Sequence, residues 1–302
     1  MNVSILVPAH NEARNIEPLL ESLLAQQTEE ARIIEVVVVA SGCTDDTAPL
    51  ARKVARGRPG IHIVVQERRA GKVAAINEYL HVRDKRAEII VVSSADLCLA
   101  PDVVEKLVRC FKDNPKVGMV GARPVPDNEK DSVVSRMVHV LWELHHQVAL
   151  TTPKMGELIA FRAALVDRVS ELSVVDEASV EDIVRSKGFD LAYVADAIVT
   201  NHGPEKIDEY FEQRRRIARG HYWLDFAFGY KVATMERGVL VKAALDVLKA
   251  EDTAGKKALL AAVAVEIAAR AAGFIDARIV GGRHRTWRAL SSTKSLRKKE
   301  AK

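Results

Sequence analysis

Apolar residues in the first hundred positions fall into short continuous runs, and between them lie stretches whose apolar positions recur at helical spacing. Val3–Val7, Ile33–Val39, Ile61–Val65 and Ile89–Val92 are uninterrupted enough to be strands covered on both faces. Between them, Ile16, Leu19, Leu20, Leu23 and Leu24 share one face of a helix that Asn15 can cap. Thr47–Arg56 and Lys72–Leu80 are the next helices. This alternation predicts a mostly parallel sheet with right-handed crossovers. Ligands of such sheets bind beyond the carboxyl ends of the strands. Pro8-Ala9-His10-Asn11, Ala40-Ser41-Gly42 and Ser93-Ser94-Ala95-Asp96 all fall there.

Further along, the pattern predicts a helix from Pro101 to Lys112, a short strand Val117–Val120, and a loop over Arg123-Pro124-Val125-Pro126-Asp127. A long helix Asp131–Leu150 and a strand Leu158–Arg162 follow. Glu181–Lys187 reads as a helix stopped by Gly188, Leu191–Val194 as a strand and Lys206–Gly220 as a helix. Beyond Tyr230 the chain is Ala-rich and helical, without a strand signal. No run reaches the roughly 18–20 uncharged apolar residues of a spanning helix. The nearest, Ala258 to Ile275, contains Glu266 and Arg270, read as a surface ion pair at i and i+4.

Composition adds little except at the end of the chain. With 48% apolar and 28% charged residues, the 302-residue chain can bury a core without staples. Its three cysteines, Cys43, Cys98 and Cys110, have no metal-ligand spacing and read as free thiols in a reducing compartment. No basic, apolar leader precedes the first strand, and the expected location is cytoplasmic. The net charge is +4, but the residues from Arg283 onward carry eight Lys or Arg against Glu300. That tail is +7, leaving −3 for the preceding residues. It reads either as a solvated, disordered end or as a peripheral contact with an anionic membrane. One aromatic, Trp287, and no recognised motif argue against nucleic acid.

Several polar groups carry candidate chemistry. Asp96 follows the fourth strand; taken alone it reads equally as a turn residue or as a site carboxylate. Asp45 is as good a helix cap as a ligand contact. Lys72 opens a helix, an unfavourable place for a cation unless an anion lies near. Glu181-Asp182 offers carboxylates at a predicted helix start, and Gln213-Arg214-Arg215-Arg216-Ile217-Ala218-Arg219 offers four arginines on about two turns. Arg216 and Arg219 can share a face, leaving Arg214 and Arg215 to solvent. Asn77 reads as a loop holder, and His145-His146 as surface or packing residues.

In order and spacing, these segments resemble glycosyltransferase family 2. Ala40-Ser41-Gly42-Cys43-Thr44-Asp45 is similar to its Asp-Asp-Gly-Ser-x-Asp segment, and Gly71-Lys72-Val73-Ala74-Ala75-Ile76-Asn77 to its Gly-Lys-x-x-Ala-x-Asn. Ser94-Ala95-Asp96 is similar to its Asp-x-Asp, Glu181-Asp182 to its Glu-Asp pair, and Gln213–Ile217 to its Gln-x-x-Arg-Trp. Ser41, Ser94 and Ile217 depart from the pattern. The resemblance covers residues 1–225 and implies an α/β GT-A nucleotide-binding fold with a mostly parallel sheet. The expected layout is a transferase domain at 1–230, a helical extension at 231–282 and a basic tail at 283–302. It further implies inverting transfer of a sugar from a UDP- or GDP-sugar to an acceptor hydroxyl, with a lipid-linked acceptor left open. Pro8, Ala9, Asn11, Glu12, Ser41, Lys72, Ala95 and Asp96 would contact the nucleotide sugar. Asp96, with His202 as a second candidate, would hold Mn²⁺ or Mg²⁺. Asp182 would be the base, and Arg216 would assist departure of the diphosphate. Ile217 in place of tryptophan, which lies near the acceptor sugar in polymerising members, argues against processive synthesis. Two rivals are a nucleotidyltransferase, which would show a glycine-rich loop after the first strand, and a catalytically silent sugar-nucleotide-binding protein.

Overall fold

The computed structural model describes residues 1–173 and 175–279. Its strands are β1 (Asn2–Ala9), β2 (Arg32–Ser41), β3 (Ile61–Gln66), β4 (Ile89–Ser93), β5 (Leu97–Leu99), β6 (Val117–Pro126), β7 (Leu158–Arg162) and β8 (Asp190–Asn201). Its helices are α1 (Ile16–Leu24), α2 (Thr47–Ala55), α3 (Lys72–Val82), α4 (Val103–Asp113), α5 (Val133–Thr151), α6 (Asp176–Ser186), α7 (Ile207–Phe228), α8 (Arg237–Ala250) and α9 (Thr253–Ile279).

The strands form one sheet in the order β3-β2-β1-β4-β7-β6-β8-β5. The first four are parallel, β7 runs antiparallel to both β4 and β6, and β8 lies parallel to β6. The buried strands are apolar on both faces because both are covered. Val3, Ile5 and Val7 of β1 pack with Leu19 of α1 and Leu107 of α4, while Leu6 packs with Tyr79 of α3 and Val180 of α6.

Several elements depart from the sequence reading: β8 and α7 run well beyond their expected ends, to Asn201 and Phe228. Arg123–Pro126 is strand rather than loop: β6 shifts register at Ala122/Arg123 and continues beside β8. Its prolines are tolerated there because β6 meets β7 only through Met119–Gly121. The short β5 was not foreseen. Helix α6 begins at Asp176, five residues before the expected start.

Helices α8 and α9 lie against α5 and α7. Met137 and Val140 of α5, Tyr210 of α7, Val247 of α8, and Leu259 and Ala262 of α9 share one apolar cluster. Gly273 permits the close approach of α9 to α7, since a Cβ there would come 2.8 Å from the Arg215 carbonyl oxygen. By length and composition α9 is apolar enough to cross a membrane, contrary to the expectation that no segment qualifies. Glu266 and Arg270 within it are not merely a surface pair: Glu266 accepts from both Arg214 of α7 (2.7 Å) and Arg270 (2.6 Å). The expected tail, 283–302, lies outside the described residues.

Candidate active site

The carboxyl ends of β1, β2 and β4 open into a cavity of about 660 Å³ that runs from the sheet to the C-terminal helices. Pro8, Ala9, Glu12, Ser41, Lys72, Ala95, Asp96, His202 and Arg216 all line it. Asn11 and Asp182 do not.

The floor is built from turns at the strand ends. Asn11 adopts a left-handed backbone (φ 55°) and clamps the neighbouring loop: its Oδ1 accepts the Thr44 N–H at 2.8 Å, and its amide donates to the Thr44 hydroxyl at 3.1 Å. Asn11 therefore shapes the floor from behind. Gly42 sits at φ 56°, where a Cβ would collide with the Arg68–Arg69 backbone. Asp45 accepts the Ala13 and Thr47 N–H groups at 3.1 and 3.0 Å, which makes it a loop and helix-start cap. Ser41 is buried, and its hydroxyl accepts the Ala70 N–H at 3.3 Å. The Glu12 carboxylate accepts from the Asn15 amide at 2.9 Å. Asn77 brackets Val169 with two 2.9 Å bonds, the loop-holding role its position suggests.

Over this floor the carboxylates and cations interlock. Ser94, where the family pattern has an aspartate, donates to Glu157 Oε2 at 3.0 Å. Glu157 reaches it because β7 runs antiparallel to β4, with Ser93 opposite Leu158. Burial, reinforced by the Glu157 charge, pushes the Asp96 carboxyl up to about 7. From α6, Asp176 pairs with Lys72 at 2.9 Å. Burial opposes the Lys72 charge, but Asp176, Glu177 and Glu157 outweigh it and raise the ammonium above its usual range. Burial and the adjacent Asp176 push Glu177 up to about 8, with Lys72 acting against them. Burial lowers the Arg216 guanidinium, while Glu157, Glu177, Asp176 and Asp96 all act to hold its charge.

The pair Glu181-Asp182 is not the carboxylate pair of this cavity. Glu181 is a buried strut: Oε1 accepts the Met155 N–H at 3.0 Å and Oε2 the Tyr230 hydroxyl at 2.7 Å. Asp182 is partly exposed on a different side of α6. The cavity receives Asp176 and Glu177, one and a half turns earlier, because the helix starts at Asp176. Acids in a first turn are favoured by the helix dipole, and that cue applied to Asp176-Glu177 would have found them.

The arginines also divide differently. Arg216 faces the cavity as expected. Arg214 is not solvated but pairs bidentately with Glu266, at 2.7 and 3.2 Å. Arg215 grips Asp276 of α9 at 2.7 and 2.9 Å. Arg219 is buried and does not line the cavity. His202 lines it, but Nδ1 lies 2.6 Å from Asp127 and Nε2 3.1 Å from Glu205. The Asp127 hydrogen bond outweighs burial and raises the imidazole pKa. Both ring nitrogens thus already face a carboxylate. His145 and His146 are both buried packing groups, and burial drives His145 down to about 3.

Among the described residues no cluster of three or more histidine, cysteine or acidic side chains is arranged around a cation. A hard divalent ion does fit beside Asp96 and Glu157. Two carboxylates crowd each other there, one already pushed up to about 7. Such an ion takes its remaining oxygens from phosphate and water.

The model of the family described as glycosyl transferase family 2 matches residues 4–164. The chain belongs to this family. Curated relatives include a poly-beta-1,6-N-acetyl-D-glucosamine synthase of Staphylococcus aureus (strain COL), 25% identical over 233 residues, covering 72% of this chain and 54% of the relative. An N-acetylglucosaminyltransferase of Rhizobium sp. (strain N33) is 24% identical over 241 residues, covering 73% and 53%. The chain spans about half the length of the curated relatives it matches. The solved mannosyltransferase PcManGT of Pyrobaculum calidifontis, in complex with GDP-Man and Mn²⁺, superposes with a TM-score of 0.60 at 22% identity, covering 93% of this chain and 85% of that one. Glucosyl-3-phosphoglycerate synthase of Mycobacterium tuberculosis, with Mn²⁺, UDP and glucosyl-3-phosphoglycerate, gives 0.50 at 20%, covering 72% and 77%. These likenesses show the GT-A fold, as the family 2 membership implies.

Proposed function

We propose that this family 2 protein transfers a sugar from a UDP- or GDP-sugar to an acceptor hydroxyl by a single inverting displacement, one sugar per encounter. The observation that carries the reading is the meeting of Asp96, Glu157, Asp176 and Glu177 with Lys72 and Arg216 at the ends of parallel strands. Family membership and the neighbours' complexes, one with GDP-Man and one with UDP, support the donor class.

Asp96 and Glu157 would hold a divalent ion, which supplies positive charge to the diphosphate. Pro8, Ala9, Ser41 and Ala95 form the floor on which the nucleotide lies, and Glu12 anchors its edge. Glu177 is the base: its carboxylate takes the proton from the acceptor hydroxyl, whose oxygen attacks the anomeric carbon from the side opposite the diphosphate. The bond from that carbon to the phosphate oxygen breaks, and the diphosphate leaves carrying the electron pair. Arg216 and Lys72 stabilise the charge that develops on it. Positioning and electrostatics supply most of the acceleration. A group with a pKa near the working pH is suited to proton acceptance. Non-processivity rests on Ile217, an alkyl wall residue where an aromatic would stack a growing glycan.

The proposed location is cytoplasmic and peripheral, with the basic residues from Arg283 onward drawn to an anionic inner leaflet. Vesicles of neutral and anionic lipid, compared at low and high salt, check this; equal sedimentation with both sinks it.

A screen of nucleotide sugars by thermal shift and slow hydrolysis, with and without Mn²⁺, tests the main reading. A ligand at 100 times its Kd stabilises by about 2.7 kcal/mol. Binding without any hydrolysis or transfer would favour a silent sugar-nucleotide-binding protein.

A further inference from the structure

The cavity does not end at the carboxylates. It continues between α5, α8 and α9, where its walls change character to Leu141 and Trp142 from α5, Leu240 and Val241 from α8, and Val263 and Ile267 from α9. Ile217 lies on the same wall as Arg216, one residue along α7. Three of these residues also face outward: Val241 is 60% exposed, Val263 40% and Ile267 65%. The chamber therefore opens through an apolar mouth. Leu245 and Leu260 extend that apolar surface outside it, at 50% and 68% exposure. The charged residues that also line the cavity from α7 and α9, Arg214, Glu266 and Arg270, are paired with one another, which leaves an acceptor glycan or a sugar alcohol few polar partners among these apolar side chains, and water gains nothing by filling the space beside them. Alkyl chain is the chemistry they accept.

We propose that the acceptor is a lipid-class molecule whose aliphatic chain lies in the chamber between α5, α8 and α9 and whose hydroxyl head reaches Glu177. This rests on the transferase reading above and names its acceptor class. The exposed apolar rim lets the chain enter from a bilayer or micelle without crossing water, since burying it along this wall removes apolar area from water throughout.

Alkyl β-D-glucosides from methyl to dodecyl, offered to the full chain with the donor selected by the nucleotide-sugar screen, are the test. Acceptor KM should fall with chain length, by at most about fourfold per buried CH₂, and by more than tenfold from methyl to octyl, with kcat little changed. Val241→Asp and Ile267→Asp should flatten that dependence. An arm independent of the donor uses dodecyl glucoside brominated on its chain, below its critical micelle concentration. It should quench the fluorescence of the wild type, lose most of that quenching in Trp142→Phe, and bind at least tenfold more weakly to Ile267→Asp. Active transfer with a KM indifferent to chain length, or absence of Trp142 quenching, overturns the proposal. A protein that binds the brominated chain but hydrolyses and binds no nucleotide sugar overturns the transferase reading, and the assignment of the chain to an acceptor falls with it.

Discussion

Lys72 Nζ lies 2.9 Å from Asp176 Oδ2, joining the first residue of α3 to the first residue of α6. A lysine at a helix start is held there against the dipole by an anion. That anion comes from a segment about a hundred residues away, and the pairing brings α6 with Glu177 over the cavity floor at the strand ends. Lys72 also restrains the pKa of Glu177.

It follows that Lys72→Met should displace the pH dependence as well as weaken donor binding. Glu177 must be ionised to accept a proton, so activity should rise with pH through about 8 in the wild type. Removing Lys72 takes away a charge that favours the ionised form, so the rising limb should move to higher pH. Profiles of kcat/KM for the acceptor check this. Lower activity at pH 7 that recovers at alkaline pH is expected; a uniform loss with an unmoved limb would contradict the coupling.

Glu177→Gln keeps the shape of the side chain and removes the proposed base. Transfer should fall about 10²- to 10⁴-fold, with the donor Kd nearly unchanged. Asp182→Asn, outside the cavity, should stay within a few-fold of wild type. The reverse ranking would return the base to Asp182.

The difference between those two positions shows what the sequence could convey. Strand runs such as Val3–Val7 are legible because double-sided burial demands unbroken apolar residues. Asp96 and Arg216 were legible because each sits at a fixed offset from its element. The start of α6 was not: two acid pairs, Asp176-Glu177 and Glu181-Asp182, lie five residues apart, and both suit a first turn. Packing of Val180 and Val184 against the sheet decides between them. Glu157 was missed because its place depends on β7 pairing antiparallel with β4. Arg214 looked solvated because its partner, Glu266, lies 52 residues further on.

Metal binding should depend on Asp96 and Glu157 and not on His202. Cations bind the ionised carboxylate, so Mn²⁺ affinity in the presence of UDP or GDP should be weak below pH 7 and strengthen as Asp96 ionises through about 7. Calorimetry at pH 6 and pH 8 measures this. Asp96→Asn and Glu157→Gln should each lose most of the affinity and its pH dependence. His202→Asn should retain both, since the imidazole is already held by Asp127 and Glu205. A loss in His202→Asn equal to that in Asp96→Asn would restore the histidine as a ligand.

The Arg214–Glu266–Arg270 cluster should be the main polar tie between α7 and α9. Glu266 accepts from Arg214 at 2.7 Å and from Arg270 at 2.6 Å, and Arg270 also donates to the Thr234 carbonyl. Although burial opposes its charge, the two guanidiniums hold the Glu266 carboxyl down at about 2. Truncation to Ala leaves two largely buried cations facing each other without a counterion, a change that costs about 3 kcal/mol or more. Replacing Arg270 alone leaves Glu266 still paired with Arg214 and should cost less. Because the folded-state pKa of Glu266 lies below its usual value, its stabilisation is fully present above the ordinary glutamate range. It is lost as pH falls toward about 2. Denaturant unfolding of wild type and Glu266→Ala at pH 7 and pH 3 checks both statements. The gap between the two proteins should be wide at pH 7 and narrower at pH 3. A gap that is small at pH 7, or that does not shrink on acidification, would show that α9 is held to α7 by its apolar contacts, the close approach at Gly273 and the Arg215–Asp276 pair instead.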